Sequence, residues 1–173
     1  MPTYRPPEAR CTIRVFKAGL LSAVGHDLEL RVARFSILVE GGHISAEFDG
    51  SSLQVEGAVE DGRVNPGRLS EKDKRDILDN VRKSVFKGRE VRSITFSCEA
   101  LEQDDEELEG EGSLLIPPHA HPLPFKARVE GGRAVCELRL HQPDWGIVPY
   151  KAPLGVLRIQ PDLAVRIELP WKG

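Results

Sequence analysis

The chain has 173 residues, with 24 basic and 27 acidic side chains, a net charge of −3 and 40% apolar residues. That length suits one domain with a sizeable core, and the mixed charge lacks the basic patch with interleaved aromatics of a nucleic-acid-binding surface. No stretch approaches about 18 consecutive apolar residues, so a spanning helix is excluded.

Residues 1–10 carry three prolines and read as an extended arm ahead of a domain over 11–170. They contain no apolar h-region, so the cytoplasm is expected unless a signal has been removed. From there an alternation of period two recurs almost to the end: Ile13-Arg-Val15, Leu28-Glu-Leu30-Arg-Val32, Leu53-Gln-Val55, Ile94-Thr-Phe96-Ser-Cys98, Cys136-Glu-Leu138-Arg-Leu140 and Val165-Arg-Ile167-Glu-Leu169. Side chains on a strand alternate between faces, so each run offers one face to a dry interior and one to water. Phe35–Glu40 continues the sheet to Gly41-Gly42, a turn signal, and Asp49-Gly50 reads as a hairpin break between two further strands. One helix is predicted, opening at Ser70: Ser70 and Asp73 have the spacing of a capping box. Ile77, Leu78, Val81 and Val85 then recur at helical spacing. That stripe cannot bury itself, so the helix is expected across the barrel or in one of its mouths. Gln103–Glu107 reads as a solvated acidic turn, and Gly112–Ile116, Pro124–Val129, Ala134–Leu140 and Val156–Leu169 supply the remaining strands. Many strands and one helix predict an antiparallel sheet curled around a core or a cavity.

The three cysteines, Cys11, Cys98 and Cys136, are odd in number and widely spaced, which argues against a disulfide framework. Cys98 and Cys136 fall in register with apolar neighbours and read as buried free thiols. His119-Ala-His121 has a spacing some metal sites use; the flanking Pro117, Pro118, Pro122 and Pro124 make an exposed hairpin tip the expected reading, with no metal. Gly25-His26-Asp27 could hold a general base, but neighbours on a strand point to opposite faces, so a turn anchored by His26 is expected. No nucleophile elbow and no phosphate-binding glycine loop is present. The expectation is a protein that is not an enzyme and needs no cofactor.

An ordered set of fragments resembles the YceI-like family. The set is Gly19-Leu-Leu-Ser-Ala-Val-Gly25-His26, Arg75-Asp76 early in the helix, Val81-Arg-Lys with Phe86 closing it, Ile94-Thr95-Phe96, Gly112-Ser-Leu114-Leu-Ile116 with Pro122, and Gln142-Pro-Asp144-Trp145-Gly146-Ile147. It departs from the family in having Arg92 before the Ile-Thr-Phe strand, in one residue added within the helix, and in the Pro118–Pro122 turn. The resemblance implies an all-β fold with one short helix: an eight-stranded antiparallel lipocalin-like β-barrel with an amphipathic helix near one opening. It also implies non-enzymatic binding, transport or storage of a polyisoprenoid or fatty lipid. The tail would lie among the inward residues Ile13, Val15, Leu28, Leu30, Val32, Phe96, Leu114, Ile116, Leu138, Leu140, Val165 and Ile167. The head would sit at a mouth near His26, Arg75, Asp144 and Trp145. Two alternatives stay open: a packed barrel acting as an interaction protein, and a His-based metal-dependent activity. A homodimer is compatible with the sequence, which does not decide it.

Overall fold

The computed structural model describes residues 2–18, 26–155 and 157–173. The turn expected at Gly25 and the strand start expected at Val156 lie outside the described residues. In chain order the strands are β1 (Thr3–Tyr4), β2 (Arg10–Ala18), β3 (Asp27–Val32), β4 (Phe35–Glu40), β5 (His43–Phe48), β6 (Leu53–Glu60) and β7 (Arg63–Asn65), then, after helix α1 (Glu71–Asn80), β8 (Ile94–Cys98), β9 (Glu102–Gln103), β10 (Glu107–Ile116), β11 (His119–Glu130), β12 (Arg133–His141) and β13 (Arg158–Pro170). All pair antiparallel in one sheet of order β1-β4-β5-β8-β10-β11-β12-β13-β2-β3-β6-β7, with β9 on β10.

The registers close this sheet into a barrel. Glu40 pairs with His43 and Phe35 with Phe48, while Val32 pairs with Leu53 and Asp27 with Val59. Thus β3–β4 and β5–β6 are the two arms of a single long hairpin, each bent once. The near half of one arm pairs with β2 and the far half of the other with β8, so the ring has eight members: the two arms, β8, β10, β11, β12, β13 and β2. The bend is held by main-chain bonds, Ala33 N to Ser52 O at 3.2 Å and Asp49 N to Arg34 O at 3.0 Å. The Ser52 hydroxyl also accepts from Arg34 N at 2.9 Å. The hairpin break expected at Asp49-Gly50 is therefore a corner: a 3₁₀ turn over Gly50–Ser52, capped by the Asp49 side chain, which carries one arm past the other without reversing it.

A second correction concerns β11. Pro122 and Pro124 lie within the strand, paired with Ser113 and Glu111, and the turn is confined to Pro117-Pro118 between the paired Ile116 and His119. A proline removes a ladder donor, but β12 pairs with β11 only over Ala127–Glu130. The prolines occupy the stretch with no strand on its other side, where a missing N–H costs nothing.

The helix begins where its cap predicts. Asp73 N donates to Ser70 Oγ at 3.1 Å and Ser70 N donates to Asp73 Oδ2 at 2.9 Å, the reciprocal pair of a capping box. The helix does not continue as α to Val85; Val81–Val85 form a π-helical turn, the local geometry that takes one extra residue into a helix.

Candidate functional site

The barrel encloses a cavity of about 280 Å³. Its wall is built from the inward half of each alternating strand, as the pleat dictates. Of the twelve inward residues expected to line it, Ile13, Val15, Leu30, Val32, Phe96, Leu114, Ile116, Leu138, Leu140, Val165 and Ile167 do so. Leu28 does not. It pairs with Val15 and with Ala58, on the inward face that the alternation predicts, but is not among the residues that reach the cavity.

Among the described lining residues none is charged, and Gln142 is the one side-chain amide. Gln142 is 5% exposed, and its Nε2 donates to Gln160 O at 3.0 Å, which ties up one of its protons. The dryness of the interior is visible in its thiols: burial pushes Cys11 up to about 12 and Cys136 up to about 11. Both line the cavity, and both stay protonated, without the thiolate that reactivity requires.

The two ends of the barrel differ. One is a floor in which Tyr4, 4% exposed, packs with Ala9, Leu108, Ala134 and Leu169 and stacks on Trp171 at 6.4 Å between ring centroids. Trp171 N donates to Gly132 O at 2.8 Å. The other end is a mouth covered by the π-turn, whose Val81 and Val85, with Phe86, line the cavity. Ile77 and Leu78 of the expected stripe are half-buried and stand off the cavity wall. The helix they belong to packs against β6.

The four residues expected at the mouth do not converge. Trp145 is 4% exposed; it packs on Leu114 and Leu123 and its Nε1 donates to Leu114 O at 2.9 Å, so it is a wall anchor. Asp144 is beside it, with Oδ2 3.7 Å from His121 Nε2; the His121 ring lies against Trp145, centroids 5.2 Å apart. His26 instead contacts Arg68, Nε to Nε2 3.4 Å, at the far end of β6–β7. Arg75 is exposed on α1, and its neighbour Asp76 pairs with Lys72 at 2.7 Å. His119 packs its ring against Gly146, where a Cβ would come within 2.6 Å of Nε2. Among the described residues no three His, Cys, Asp or Glu side chains come together as a metal shell.

Sequence reading expected the helix at a mouth but missed the floor and the place of Phe86 in the lining. Tyr4, Trp171 and Leu101 face the cavity end from segments outside any alternating run. Phe86 lies just past the helix; its place in the resemblance to the family's helix is the signal that marked it.

No family model matches the chain, and no curated protein matches it. Among solved structures it is similar to the crystal structure of BcnA from Burkholderia cenocepacia, with a TM-score of 0.60 over 92% of this chain and 94% of that one, at 11% identity. At that identity the likeness speaks for the fold alone, a lipocalin-like antiparallel barrel.

Proposed function

We propose that the protein binds and carries, or stores, a long-chain amphiphilic lipid of the isoprenoid or fatty class, without chemistry of its own. The observation that carries this reading is the cavity: enclosed by the barrel, floored at one end, and lined by uncharged and almost wholly apolar side chains. A buried chain gains about 0.8 kcal/mol per CH₂, so affinity comes from length rather than from specific contacts. A volume of about 280 Å³ is at the small end of ligand pockets, roughly 300–1,000 Å³. A long chain would therefore enter with displacement of the cap over the mouth. The void also counts against the rival of a solidly packed barrel.

Native mass spectrometry of the purified protein, with organic extraction of what travels with it, tests the reading. A discrete added mass that extracts as a long-chain lipid supports it. A bare mass that stays bare on adding prenyl and fatty lipids overturns it. Leu138 lines the cavity opposite Val165, and Leu138→Trp should fill the lumen, keep the fold and abolish uptake.

A further inference from the structure

Charges that look evenly mixed along the sequence are locally biased in two segments, one basic at the cap of the barrel and one acidic at its floor. The cap and its exit, Val81–Arg92, hold Arg82, Lys83, Lys87, Arg89 and Arg92 against the single acid Glu90, and all five cations are exposed. Asp79 pairs with Arg82 and Glu90 with Arg92 at 3.0 Å, which leaves Lys83, Lys87 and Arg89 without a carboxylate partner among the described residues. Arg89 reaches Phe86 O at 3.4 Å and Pro117 O at 3.5 Å, pinning this segment to the β10–β11 turn. Strand β8 then runs from the cap to the floor, and the chain that leaves it, Glu99–Glu107, carries six acids and no base.

From this arrangement we infer that the capped mouth docks on the surface of an anionic phospholipid bilayer. Three observations converge on it. The free cations sit on the same short segment whose Val81, Val85 and Phe86 face the cavity, so a surface that holds the cations holds the gate. Two large apolar side chains, Val148 at 67% and Leu154 at 99% exposure, stand on the loop after Ile147, itself a lining residue of this mouth. The acidic floor is repelled by the surface that attracts the cap, so a negative membrane orients the barrel mouth-down. Lysines near such a surface contribute additively and are screened by salt. The docking rests on the carrier reading for its use, lipid exchange, and not for its physics.

The test is sedimentation of the full chain with vesicles of phosphatidylcholine, alone or mixed with phosphatidylglycerol. Binding is expected to the mixed vesicles alone and should fall with salt. Lys83→Glu/Lys87→Glu should weaken it by at least about fivefold for each lysine; the milder Lys83→Gln/Lys87→Gln should fall between, and Glu102→Gln/Glu106→Gln on the floor should not weaken it. Equal binding to both vesicle types, no binding to either, or binding that the lysine pair does not alter overturns the inference. So does preferential retention on duplex DNA or RNA that the same pair abolishes, which would assign the surface to nucleic acid. Leu138→Trp separates the two readings. Vesicle binding by a variant that takes up no lipid supports docking by itself, and lipid uptake from micelles by a wild-type chain that never sediments leaves the carrier standing and the docking refuted.

Discussion

The floor and the mouth close the same barrel by different means. At the floor, side chains from four separate stretches, Tyr4, Ala9, Leu108 and Leu169, are each below a tenth exposed, and main-chain bonds such as Val39 N to Pro2 O at 3.2 Å lock the N-terminal segment onto β4. At the mouth, neither α1 nor the π-turn contains a single buried residue. Non-polar burial is the main source of stability, so the floor belongs to the cooperative core and the cap to the part that opens first. A binding barrel needs this asymmetry, because a container sealed equally well at both ends exchanges nothing.

The comparison breaks most directly at the floor. Leu169→Ala should lower unfolding stability by about 2–5 kcal/mol, read by urea denaturation; a loss well below 1 kcal/mol would mean that the floor is as loose as the cap. Next comes the fixed wall of the mouth. Trp145→Phe keeps an aromatic side chain but loses part of the ring and strips Leu114 O of its indole donor, and should cost about 1–3 kcal/mol. Ser70→Ala removes the helix cap and should cost about 1 kcal/mol, with faster amide exchange confined to α1 and not spread to β13. A pH dependence runs with it. The backbone N–H of Ser70 holds the Asp73 carboxyl below its ordinary value of 3.8, so the folded-state value is depressed. Its contribution is present above that ordinary value and is lost as pH falls through the lower folded one; acid should loosen the start of α1 before it loosens the floor. The smallest expected effect on stability is Val85→Ala, below about 1 kcal/mol for a half-buried side chain, yet that variant should release bound lipid faster than wild type.

The wall of the cavity was legible because it is a local property: in β2, β3, β8, β10, β12 and β13 inward residues follow the period of the pleat, and eleven of the twelve expected ones reach the cavity. Leu28 has the inward face that alternation predicts, paired with Val15, but how far along the strands the cavity reaches is set by the closed ring and its cap, which no local pattern states. The corner at Asp49–Ser52 misread for a related reason: Asp-Gly has the composition of a hairpin, and only the main-chain bonds to Ala33 and Arg34 make it a bend. His26 and Asp144 find other partners, Arg68 and His121, and Arg75 stands exposed, for want of any local rule that brings distant loops together. The proximity of Phe86 to the barrel interior and the gathering of cations at one end likewise require the closed ring before they exist.

One detail of the ring bears on how this protein behaves in a crowd. The stretch of β11 before Ala127 bonds to no strand on its β12 side; the turn over Gln142–Gly146 lies there instead, with His121 against Trp145 and His119 against Gly146. If that turn lifted, the flank would be a template for another chain's backbone, and Pro122 and Pro124, with no N–H to donate, would deny it a complete ladder. The residues that give this segment the composition of a turn are thus ones that would make its flank a poor template for self-association.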